Sequence, residues 1–198
     1  RNGFLPDPDI VYDERDSTIP IKAFDCKNKI GFSEYIENTL LKHRGISDHL
    51  NSLLSEKIAD DLLEVFGNTT YHANTTDPFF VGGQYYPKMG VFKFTMVDIG
   101  DGFLPRVQRA TNGEITDNLE AIKWAVKGNS TKMILDGFPG GLGIQNMHKY
   151  CKNNNGVLQI ISNDGFWASD LENTFFSDGR RLKNAFQGTT INIIFHKM

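Results

Sequence analysis

The chain has 198 residues, 39% of them hydrophobic, enough to bury one ordinary core. Its formal charge of -3 at pH 7 argues against a general nucleic-acid binder. No apolar run approaches membrane-spanning length and nothing at the start reads as a signal peptide, so a cytoplasmic protein with no membrane contact is expected.

The chain starts at Arg1 rather than Met, and a piece of something longer is expected. Cys26 and Cys151 show neither metal-site spacing nor a disulfide framework and read as two reduced thiols.

Residues 1–18 form an acidic leader with Asp7, Asp9, Asp13, Glu14 and Asp16, expected on the surface or docked through Phe4, Ile10 and Val11. A short strand is predicted over 19–24. Ser33 then reads as the N-cap of a helix through Lys42, ended by Gly45. Ser47 and Asp48 offer caps for a longer helix to Tyr71, along which Leu50, Leu53, Leu54, Ile58, Leu62, Val65 and Phe66 recur at helical spacing. Segments 79–86 and 91–97, joined by Pro87-Lys88-Met89-Gly90, predict a β-hairpin.

Residues 103–140 read as a loop-rich excursion with one helix over 117–126, capped by Thr116. A helix over 142–152 and strands over 157–162, 166–169 and 171–176 follow. A polar loop with Arg180, Arg181 and Lys183 leads to a last strand, 190–195. Strands gathered against helices predict an α+β, two-layer sandwich, its sheet mixed but mostly antiparallel with helices on one face.

Four segments carry chemistry. Glu64 and Asn68, four apart, share a helix face, as a solvated polar pair or as an oxygen-donor set for a polyphosphate and its cation. Asp98-Ile99-Gly100-Asp101-Gly102 closes a buried strand. It is either a plain turn or an acceptor flanked by backbone that a flat ligand can approach. Gly140-Gly141-Leu142-Gly143 opens a helix, where backbone N–H groups attract an anion. Gly188-Thr189-Thr190 opens the last strand.

Together these segments resemble the GHKL superfamily, the ATP-binding (Bergerat-type) fold of DNA gyrase B subunits, heat-shock chaperones, histidine kinases and mismatch-repair ATPases. The resemblance covers residues 47–198, leaving 1–46 as an N-terminal extension. Glu64, Asn68 and His72 match the spacing of the histidine-kinase asparagine box. Two positions depart from that branch: Pro139 stands where the first glycine of its phosphate loop belongs, and Tyr71 where a lysine is usual.

The resemblance implies ATP and Mg²⁺ as ligands. Glu64 becomes the catalytic base and Asn68 the metal ligand. Asp98, with Thr189, reads the adenine amino group, and Gly100 and Gly102 admit the ring. Gly140, Gly141, Leu142 and Gly143 cradle phosphate, and Lys132, otherwise a plain surface lysine, contacts the γ-phosphate from the lid over 103–140. His43, His49 and His72 lack the context of a phosphoacceptor and read as structural, and Trp124 and Trp167 as packing residues. The expected function is a Mg-dependent ATPase or ATP-driven switch, with a protein partner or further domains of a longer chain. Its rivals are phosphotransfer to a separate partner, on histidine or serine, and a module that binds nucleotide without turnover.

Overall fold

The computed structural model describes residues 13, 15–47, 52–72, 75–129, 142–171 and 179–196, with the side chains of 52–54, 68–72 and 171 outside the description. The elements run β1 (Thr18–Phe24), α1 (Lys29–Tyr35) continued by a π-helical turn (Ile36–Leu40), α2 (Arg44–Ser47), α3 (Ser52–His72), β2 (Phe79–Tyr86), β3 (Val91–Asp98), α4 (Leu104–Ala110), α5 (Asn118–Val126), α6 (Gly143–Asn153), β4 (Val157–Ala168), a 3-10 turn (Ser169–Leu171) and β5 (Arg180–His196). The five strands form one sheet in the order β1-β2-β3-β5-β4. Among the described residues all four pairings are antiparallel, where a mixed sheet is expected from the sequence.

Alternation along the strands explains the two layers. In β3, Phe92, Phe94 and Met96 are buried while Lys93 is exposed. In β5, Ile191 and Ile193 are buried, and in β4, Leu158 and Ile160. Period-two burial gives the sheet one apolar face. That face shares a single core with Phe32, Ile36 and Leu40, with Leu62 and Phe66 of α3, with Ile122 of α5, and with Ile144 and Met147 of α6. The fold is therefore α+β, a helical layer on an antiparallel sheet.

The described part of the N-terminal extension belongs to the same core. The Phe32 ring stacks on Phe66 with centroids 4.6 Å apart and meets Phe79 edge-on at 5.5 Å. Its first helix starts earlier than the sequence suggests, because Asn28 rather than Ser33 caps it, accepting from Gly31 N–H at 2.9 Å. Gly45 does not end that helix. It lies inside α2, where an added methyl would strike Phe92 and Tyr85. Ser47 is also part of α2, while Asp48 lies outside the described residues. The leader's Phe4, Ile10 and Val11 are outside them too, but Asp13 accepts from the N–H groups of both Ser17 and Thr18 at 2.6 Å and so anchors the entry to β1.

Further expectations are corrected. The described part of the excursion after Gly102 holds two helices, since α4 forms with Pro105 in its first turn, where a missing N–H costs nothing. The second, α5, is capped by Asp117, not Thr116: its Oδ1 accepts from Glu120 N–H at 3.0 Å. At the other end, β4 is one strand from Val157 to Ala168, and the segment with Arg180, Arg181 and Lys183 is strand. It pairs with β4 at Gly165↔Arg181 and Phe166↔Arg180, helped by the Arg180 guanidinium over the Phe166 ring and an Arg181–Asp117 ion pair.

Candidate functional site

Across β3, β5 and β4 the core face is built in rows. Phe94, Ile193 and Leu158 face one another in register, and the next row is Met96, Ile191 and Ile160. The following row is Asp98, Thr189 and Ser162. The apolar pattern thus ends in a carboxylate and two buried hydroxyls on the face that packs against the helices. Local rules that favour apolar groups at such positions are broken together, which is characteristic of functional sites.

Asp98 is held in a defined geometry. Gly100 N–H donates to its Oδ1 at 3.0 Å, and Thr189 donates through both its N–H and its hydroxyl. Burial nevertheless dominates and pushes the Asp98 carboxyl up to about 6, with these hydrogen bonds pulling the other way. Gly188 makes the approach possible: its φ is +119°, and a side chain there would overlap the Asp98 carbonyl.

The loop after Asp98 is fastened to β4 by two residues that the sequence reading passed over. Ser162 Oγ accepts from Phe103 N–H at 2.9 Å, and Asn163 Nδ2 donates to the Asp101 carbonyl at 3.0 Å. Gly102, at φ +75°, sits against both side chains, so a methyl there would lie 2.5 Å from Ser162 Oγ. The signal was the run Asn163-Asp164-Gly165, which reads as a turn but forms a bulge in a continuous strand, with Asn163 at φ +51°.

Glu64 and the α6 entrance form a second cluster. A methyl on Gly143 would lie 3.1 Å from the Asp61 carbonyl, Glu64 Cβ and Glu64 Oε2, so the missing side chain lets α6 start against this turn of α3. Leu142, half-buried, occupies the N-cap position without a side-chain capping bond. Asn146 of α6 donates to Asp61 Oδ1 at 3.1 Å, and Gln145 donates to the Lys127 carbonyl at 2.9 Å. Burial also lifts Asp61 to about 6, with the negative charges of Glu64 and Asp60 adding and the Asn146 bond opposing.

Asp98, Gly100, Gly102 and Thr189 are thus brought together, as are Glu64, Leu142 and Gly143. Lys132, Gly140 and Gly141 lie outside the described residues, as does the Asn68 side chain, although its backbone is in α3. His43 is buried, accepts from Gly45 N–H at 3.1 Å and packs against Phe92, a structural role. Trp167 is a buried packing residue edge-on to His148, and Cys26 and Cys151 are buried thiols, Cys26 Sγ donating to the Thr75 carbonyl at 3.7 Å. Among the described residues no helix is long and apolar enough to cross a membrane.

The raised Asp98 carboxyl makes a testable sign. The folded state holds its proton up to about 6, the unfolded chain only to 3.8. Its contribution to stability is therefore complete below pH 4 and lost as pH rises through 6. His43, whose pKa burial lowers, works in the opposite direction, so the comparison is made between variants. The parent is expected to gain urea resistance relative to Asp98→Asn as pH falls from 7 to 5. A difference in midpoint that stays constant over that range would show that Asp98 is not desolvated.

The chain matches no protein-family model, no characterised protein and no solved structure.

Proposed function

We propose that the chain is an ATP-binding domain of GHKL type, acting as a Mg-dependent ATPase or ATP-driven switch. The observation that supports this best is the polar row Asp98–Thr189–Ser162 closing an otherwise apolar core face. A carboxylate has about four lone-pair sites, and Gly100 and the two Thr189 donors use three of Asp98's. The acceptor that remains suits the exocyclic amino group of adenine. Gly100, beside that acceptor, carries no side chain to obstruct it, while Gly102 packs against Ser162 and Asn163.

The second cluster supplies the phosphate end. Leu142 makes no side-chain capping bond at the start of α6, where the first-turn backbone N–H groups would attract an anion, and Glu64 lies against that turn. Glu64 would take the proton of a water attacking the γ-phosphate. Mg²⁺ would supply charge neutralisation of the phosphates, held by the Asn68 carbonyl oxygen among oxygen donors.

Incubation with γ-labelled ATP and Mg²⁺ tests the reading. Free labelled phosphate is expected. Labelled protein would point to phosphotransfer, and ATP bound but unchanged to a binding module. Asp98→Asn replaces an acceptor-only group by an amide and is expected to weaken ATP by at least tenfold, about 1.4 kcal/mol. Unchanged affinity by calorimetry would remove the adenine assignment.

A further inference from the structure

On the opposite edge of the sheet, a groove of about 400 Å³ runs between β1 and the first helix. One wall is Lys22, Ala23 and Phe24, three consecutive residues of β1. The other is Gly31, Glu34, Tyr35, Asn38 and Thr39, a single face of α1 and the π-helical turn. Pi-helical turns interrupt helices frequently at functional sites. Among the described residues β1, at the sheet's edge, pairs with β2 alone, and its other side has no described strand beside it. Pro20 and the irregular register between Ile19 and Lys22 blunt the first half of that edge, leaving the stretch that lines the groove.

The charges favour one kind of occupant. The Lys22 ammonium stands over the groove's own rings, 4.9 Å from the Phe24 centroid and 5.5 Å from that of Tyr35, and is a positive charge set against the two carboxylates of Asp25 and Glu34. Asp25 and Glu34, on the same groove, form no ion pair among the described residues.

We infer that this groove docks a short extended segment of a partner protein, which pairs with β1 along Lys22–Phe24 and directs a basic side chain to Glu34 and Asp25. Main-chain hydrogen bonds would supply affinity and the carboxylates the choice of residue. The inference does not depend on nucleotide binding at the other site.

The test uses the full chain and two end-blocked peptides, Ser-Val-Thr-Arg-Thr-Val-Ser and the same sequence with Glu for Arg. The Arg peptide is expected to bind and to slow amide exchange over residues 20–25. Glu34→Lys, at an exposed position and so expected to keep the parental thermal unfolding temperature, should weaken the Arg peptide by roughly threefold or more and favour the Glu peptide. Three results would overturn the inference. These are binding indifferent to Glu34→Lys, slowed exchange only away from β1, and an edge already protected and unaltered by either peptide, which would mean that the chain itself covers it.

Discussion

Gly188→Ala is expected to be the most damaging single-methyl change in the described part of the site. At φ +119° an L-residue is strained by roughly 1–3 kcal/mol. The methyl would also overlap the Asp98 carbonyl and approach Ile99 Cα, both backbone atoms that cannot rotate away, which adds an overpacking cost of about 1–3 kcal/mol. Relief requires β3 and β5 to part at the pair Asp98↔Thr189, so stability and nucleotide binding should fall together. Gly113→Ala is the control. That glycine has φ +86° with nothing within 4 Å of the added methyl, so only the backbone cost applies. Urea unfolding should rank the parent above Gly113→Ala and Gly113→Ala well above Gly188→Ala. Equal losses for the two variants would mean that the close approach at Asp98 does not constrain the site.

Glu64→Ala separates hydrolysis from binding. If Glu64 is the base, the variant retains ATP and Mg²⁺, because the carboxylate addresses water rather than nucleotide. Turnover should drop by roughly 10²–10⁴-fold, the contribution of a positioned base. The position supports this role, since the Glu64 side chain lies against Gly143 at the entrance of α6, where the phosphates are proposed to sit. Single-turnover rates, with calorimetry to show that binding persists, make the measurement. Hydrolysis at the parental rate would exclude the base assignment, and loss of binding in step with turnover would recast Glu64 as a residue that shapes the phosphate site.

Local chemistry made much of this protein legible in its sequence. The hairpin of β2 and β3 follows from β-branched and aromatic runs about a turn, and α3, α5 and α6 follow from helical periodicity. The acid and glycines at 98–102, and Gly188-Thr189, were recognisable because a buried strand that ends in Asp and tight glycines departs from what packing alone would select. Where the sequence reading missed, the deciding interactions were distant. Arg180–Lys183 look like a loop, but become strand because β4 offers a partner and Phe166 a ring beneath Arg180. Asn163-Asp164-Gly165 looks like a turn, but stays in β4 because β5 runs beside it.

The α+β class and the residue types available for chemistry are local properties of the chain, since they depend on periodicity and on each side chain's own acceptors and donors. Which of those residues meet depends on how distant segments pack. That Asp98, Thr189 and Ser162 share one row is a matter of register between strands far apart in the chain, and a slip of one residue would turn each side chain to the opposite face. That Gly143 and Asn146 of α6 meet the α3 turn carrying Asp61 and Glu64 is likewise a matter of helix packing, fixed by the bare Cα of Gly143 and the Asn146–Asp61 hydrogen bond. Neither meeting has a local signal, because contacts between distant segments are set by the packing of the whole core.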